Sequence, residues 1–101
     1  MKKVRRHPQA EEDLKDATWH YAGESISAAN RFVAESERTI SRIEKIPGAG
    51  SPRLAQDLGI PNLRVRAVGD FPYLMFYVEH GDYVDLMRVL HMHRDIFSIF
   101  L

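Results

Sequence analysis

Residues 71–95 read FPYLMFYVEHGDYVDLMRVLHMHRD. The runs Tyr73–Glu79 and Tyr83–Leu90 are rich in aromatic, β-branched and long apolar residues, which suit a pleated, half-buried surface. His80-Gly81-Asp82 between them is a short polar connection whose Gly supplies positive φ, so the stretch is a β-hairpin. Pro72 has no N–H for a ladder and belongs at the first position of its strand. Arg88 sits inside an otherwise apolar strand, and the strand delivers His91, His93, Arg94 and Asp95 at its end.

Working upstream, Gly69-Asp70 is a turn signal. Leu63, Val65 and Val68 with Arg64 and Arg66 between them predict a strand, apolar inward and cationic outward. Residues 47–61 are rich in Gly and Pro and read as a surface loop. Before them lie two helices. In the first, Pro8 suits the opening turn, and Ala10, Leu14, Ala17, Thr18 and Tyr21 recur at helical spacing. Acids in its first turn offset the helix dipole, and Gly23 ends it. Ser25 or Ser27 caps the second. Its apolar stripe is Ala29, Phe32, Val33, Ile40, Ile43 and Ile46, with Ser36 filling one turn, and Pro47 stops it. Helices joined by so short a link pack as an antiparallel hairpin. Residues 2–7, KKVRRH, are either an edge strand, where basic residues discourage stray pairing, or a tail. The apolar end, Ile96 to Leu101, is either a last helical turn packed on the core or a partner-binding tail. The order predicts an α+β fold, β-α-α-β-β-β, with the helical hairpin on one face of an antiparallel meander and the other face left to water or a partner.

The 101 residues predict a single domain over 1–101, long enough to bury a core without staples. With no Cys, neither a disulfide framework nor a thiolate metal site can form. MKKVRRHP has a basic start but no apolar region to make a signal peptide, and no apolar run approaches a bilayer span. These point to a cytoplasmic protein. Fourteen basic residues balance fourteen acidic ones, whereas a dedicated nucleic-acid binder carries a basic excess.

Several short motifs now stand in order. They are AEEDLKDA (Ala10–Ala17), Trp19 and Tyr21, Ala29-x-x-Phe32, Ile46-Pro47-x-x-Gly50, Leu63-Arg64, Phe71-Pro72-Tyr73, Phe76-Tyr77, and Arg88-Val89-Leu90-His91-x-x-Arg94-Asp95. Together they resemble the ParE toxins of bacterial type II toxin–antitoxin modules, within the ParE/RelE superfamily, over roughly residues 2–97. The resemblance implies a small growth-arresting toxin of the plasmid-stabilisation kind. It implies a cognate ParD-like antitoxin whose extended, partly helical C-terminal region wraps the helical pair and sheet. The two would form a hetero-oligomer in equal numbers that binds its promoter through the antitoxin rather than through this chain. ParE-type relatives inhibit DNA gyrase; RelE-type relatives cut mRNA on the ribosome. Fold alone does not choose between them.

Metal-free RNA cleavage needs a base for the 2′-hydroxyl, a cation for the phosphate and an acid for the leaving oxygen. Arg64, Arg66, Tyr77, Arg88, His91 and Arg94 are what the chain offers. No Lys follows Arg53, and Asp82, Asp85 and Asp95 are interspersed. The expectation is therefore a non-enzymatic gyrase inhibitor without cofactor. The catalytic alternative rests on Arg64, Arg88, His91 and Arg94, and a third reading is a non-toxic relative that only binds antitoxin. His91-x-His93 lacks a third ligand at recognisable spacing, so a metal site is not expected; a bond from His91 to a carbonyl or to Asp95 is. Arg88 is expected to pair with Asp70, Asp85 or Asp95, and Arg94 and Asp95 to cap the final turn or meet a target. Contact candidates are Trp19, Tyr73, Arg88, His91, Arg94 and Asp95. Trp19 and Tyr21 read as core or helix-pair packing, Trp19 the more exposed of the two and open to an antitoxin; on the helical pair Trp19, Ala22 and Ile26 read as outward.

Overall fold

The helices begin and end where the local chemistry requires. Pro8 occupies the first position of α1 (Pro8–Ala22), where no N–H is needed, and Gly23 caps its C-terminus. Ser25, not Ser27, caps α2 (Ile26–Lys45), its Oγ accepting from the Ala28 N–H at 3.0 Å. Pro47 starts a 3-10 turn over Pro47–Ala49. The computed structural model describes residues 1–100; Leu101, the end of the apolar tail, lies outside the described residues.

Four strands form one sheet in the order β1 (Lys3–Arg6), β4 (Tyr83–His91), β3 (Tyr73–Glu79), β2 (Leu63–Ala67). The last three make the expected meander, with β3 starting one residue after Pro72. KKVRRH resolves as an edge strand. It runs parallel to β4, Val4 opposite Val84, so the sheet is mixed. Its outer edge is occupied by Glu44, which accepts from the Lys2 N–H through its carbonyl and from the Val4 N–H through its carboxylate.

The α1–α2 hairpin covers one face. Met75, Tyr77, Val84, Leu86 and Val89 meet Ala17, Tyr21, Phe32, Ile40 and Ile43 there. The Tyr21 and Phe32 rings stack at 5.3 Å. Two members of the expected stripe depart from it: Val33 and Ile46 are exposed. Arg31 lies over the Phe71 ring, and Glu35 pairs with Arg38.

The opposite face is covered as well, which corrects the expectation that it would be open. Leu63, Phe76 and Leu90 form a second cluster with Leu58 of α3 (Leu54–Leu58), a short helix inside the segment read as loop. Ile96, Ile99 and Phe100 of α4 (Ile96–Phe100) close over it, Phe100 against Phe76 at 5.2 Å. The described tail therefore docks on the core. Leu63 and Val65 face this second layer, so Arg64 and Arg66 lie on the side of the sheet that carries the helices, which reverses the expected sense of β2.

The motif Ile46-Pro47-x-x-Gly50 is explained by one contact set. The Tyr77 hydroxyl donates to the Pro47 carbonyl at 2.6 Å, and Arg64, opposite Tyr77 in the register, donates to the Gly50 carbonyl at 2.8 Å. A Cβ on Gly50 would stand 2.2 Å from the Tyr77 oxygen, so the residue has no side chain because the phenol fills the space.

Candidate functional site

Arg88 pairs with Asp13 of α1, and none of the acids expected for it does so. Asp13 Oδ2 accepts from Arg88 Nε at 2.8 Å and Oδ1 from an Arg88 terminal nitrogen at 3.0 Å. The same Oδ2 accepts from the Val89 backbone N–H at 2.9 Å. The reason lies in the sheet. β1 stops at Arg6, opposite Leu86, so β4 beyond that point has no strand on that side. A register shift at Phe76/Tyr77 leaves Met87 unpaired and turns the strand. Asp13 thus stands in for the missing strand at Val89. Its bond to Arg88 raises the guanidinium pKa further, so Arg88 stays charged and committed.

At the end of β4 the chain turns back on itself. His91 Nδ1 accepts from the His93 N–H at 3.1 Å, and the Arg94 N–H donates to the His91 carbonyl at 3.0 Å. The expected bond of the His91 side chain to a carbonyl or to Asp95 is not the one formed. Asp95 caps α4, its Oδ1 accepting from the Ser98 N–H. Arg94 is exposed and takes no part in that cap. Tyr73, opposite His91, packs its ring 5.2 Å from the imidazole and 5.3 Å from Phe32. Burial pushes the Tyr73 phenol up, while Arg94 draws it back down. Tyr73, His91 and Arg94 therefore form one patch, with Met92 and His93 exposed beside them.

Arg64 does not join that patch. It sits opposite Tyr77, four residues along β3 from Tyr73, about 13 Å at 3.3 Å per residue. Its guanidinium is turned to the 47–50 loop. Of the proposed catalytic set, then, His91 and Arg94 are neighbours, Arg88 is held by Asp13 and Arg64 is remote. Among the described residues no group of three His, Asp or Glu is placed to hold a metal ion.

The other feature is a groove of about 470 Å³ between α1 and α2, with Phe32 at its floor and Arg6 of β1 at its rim. Leu14, Thr18, Trp19 and Ala22 form one wall, Ile26, Val33 and Ser36 the other. Trp19 is 76 % exposed and Ile26 71 %, so Trp19 is not a packing residue of the helical pair. Val33 belongs here because Ile26 and Val33 are seven apart, on a stripe beside the Phe32–Ile40 core stripe. Arg6, one terminal nitrogen of which donates to both Glu37 carboxylate oxygens at 2.8 Å, closes one end together with Glu11. Large exposed apolar side chains gathered along one concave surface mark an interaction site. Trp19, Ala22 and Ile26, outward by sequence, are all here, together with Val33 and Ser36, which the sequence assigns to the core stripe of α2.

A family model described as the ParE toxin of the type II toxin–antitoxin system, parDE, matches residues 4–96. In fold the chain is similar to one in a solved structure of the chromosomal ParDE toxin–antitoxin system from P. aeruginosa. The TM-score is 0.73 and the identity 19 %, over 90 % of this chain and 96 % of that one. No curated protein matches the chain.

Proposed function

As the chain belongs to the ParE toxin family of type II toxin–antitoxin systems, we propose that it arrests growth by binding DNA gyrase without bond-breaking chemistry of its own. We further propose that an antitoxin neutralises it from the α1–α2 groove. The observation that carries the non-catalytic reading is the dispersal of the ribonuclease set: Asp13 occupies Arg88, and Arg64 is tied to Gly50 across the sheet. A phosphate at His91 would find Arg94 and neither of the others. The exposed turn Met92–Arg94, with Tyr73 behind it, is the surface offered to the target. Membership in the family brings an antitoxin partner, and the groove supports its place, because Trp19, Ile26 and Val33 line it in the free chain. No helix among the described residues is long and apolar enough to cross a membrane, in keeping with a cytoplasmic site of action.

The test is a paired assay on the purified chain. One reaction holds gyrase, ATP and relaxed plasmid; the other holds a ribosome-based translation mixture whose message is read for cuts. Loss of supercoiling or trapped cleaved plasmid, with intact message, is expected. Cut message with normal supercoiling overturns the proposal in favour of a ribosome-dependent mRNA endonuclease.

A further inference from the structure

The chain is formally neutral, yet its charges are not spread evenly over the fold. Arg31, Arg38 and Arg42 are spaced seven and four apart, which sets all three on the flank of α2 away from the groove. The acids Glu37 and Glu44 lie on the opposite flank, Glu37 at Arg6 and Glu44 at the Val4 N–H. Facing the arginine flank are Arg64 and Arg66, on the helix side of β2. Two contacts set the alignment. Glu35 lies against Gly69, where a Cβ would stand 2.5 Å from its Oε2. At the other end the Pro47 carbonyl accepts from the hydroxyl of Tyr77, the residue paired with Arg64. The flank therefore runs beside β2 from Gly69 to Arg64, about 17 Å by the rise of either the helix or the strand. Burial pushes the Tyr77 phenol up, and Arg66 and Arg64 both draw it back, so the two guanidinium charges act on the same space.

The acids beside this strip are Glu35, held by Arg38, Glu79, held by Lys2, and Asp70. Five arginines and Lys2 against these three acids leave an excess of three positive charges. Among the described residues Arg42 and Arg66 form no ion pair. Guanidinium forks suit phosphate oxygens, and a strip of about 17 Å spans roughly five phosphates of one strand at about 3.4 Å of axis each. The rings beside it are occupied, since Phe71 lies beneath Arg31 and Tyr77 is fully buried. A single strand stacks its bases on open rings, whereas a duplex needs only cations along its backbone.

We propose that the arginine strip between α2 and β2 binds the phosphate backbone of duplex DNA without reading its sequence. This goes beyond the gyrase reading and does not require it, but the two fit. Gyrase holds duplex DNA, and the strip ends at Pro72, whose carbonyl accepts from the N–H of Met92 in the turn offered to the target. The chain can then touch the enzyme and its DNA together.

The experiment titrates the full chain into a short labelled DNA duplex of arbitrary sequence and reads fluorescence anisotropy. With about three phosphates neutralised, affinity is expected to fall about 40-fold between about 50 and 200 mM salt. Arg42→Gln with Arg66→Gln should bind more weakly and lose only about fourfold over the same range. Lys3→Gln with Arg5→Gln removes the same charge from the other face of the sheet and should bind as the wild type does. If the urea midpoint shows that Arg66→Gln unfolds the chain, Arg42→Gln alone should lose about 12-fold. Absence of binding at the lower salt overturns the inference. Equal weakening in the two double variants also overturns it, since net charge would then be the cause. Tighter binding to single-stranded RNA of the same length overturns the assignment to duplex DNA. A chain that binds the duplex but leaves supercoiling intact refutes gyrase as the target and leaves the strip standing; one that inhibits gyrase without binding the duplex does the reverse.

Discussion

Replacing Asp13 by Ala removes three hydrogen bonds at once, two from Arg88 and one from the Val89 N–H. The carboxylate is 11 % exposed and the guanidinium 21 %. Water therefore replaces the lost partner poorly. Breaking one side of such a pair costs about 3–5 kcal/mol. At roughly 4–8 °C per kcal/mol for a domain of this size, the melting point falls by at least about 12 °C. Arg88→Met leaves Asp13 still bonded to Val89 and costs less, about 1–3 kcal/mol. In the double variant no charge is stranded, but the Val89 N–H is. It should therefore be about 1–2 kcal/mol less stable than Arg88→Met alone, and the two single losses should add to more than the double loss. Urea titration of the four proteins supplies the cycle, and hydrogen exchange at the Val89 amide reads the third bond directly. An Asp13→Ala protein that loses under about 1 kcal/mol and keeps Val89 protected would refute the role given to Asp13 as a substitute strand.

Other expectations are as direct. Gly50→Ala drives a Cβ into the Tyr77 phenol and should cost about 2–4 kcal/mol in urea unfolding; adding Tyr77→Phe should recover part of that loss. Burial raises the Tyr21, Tyr73 and Tyr77 phenols above their ordinary value. The unfolded chain ionises first, so their contribution is complete below about pH 10 and is lost as the pH climbs through the folded values, by up to about 1.4 kcal/mol per pH unit for each group. Melting points from pH 8 to 11 should fall accordingly, less steeply in Tyr77→Phe. Asp95→Ala removes the cap of α4 and should cost about 1 kcal/mol. It should speed amide exchange at Ile99 while leaving the β3 amides unchanged.

The hairpin at 71–95 and the two long helices were legible because their periods, turns and caps act within a few residues of one another. The layer beneath the sheet was not. Helices α3 and α4 span five residues each, too short for a helical stripe to repeat, and one lies in a Gly- and Pro-rich segment. The facing of β2 is hidden for a related reason: with two covered faces, apolar alternation no longer says which face carries the helices. The partner of Arg88 lies 75 positions away in sequence, beyond the reach of any local pattern. At the candidate site, Ile26 reads as outward from the sequence, whereas Trp19 reads first as packing, because a large aromatic near a helix end suits either place. Ser36 reads as core, because a small polar residue on an apolar stripe looks like a filler.

The parallel pairing of β1 with β4 has a consequence for synthesis. Lys3 meets Tyr83 and Arg6 meets Leu86, so the first strand made is the last to find its place. Until Leu86 has left the ribosome, Val4 has no sheet to enter and the α1–α2 hairpin lacks most of the surface it packs on. Pairing of such separation also slows folding. A chain halted before residue 83 is thus expected to be inert, and an antitoxin already present would meet the helical hairpin before the fold is closed.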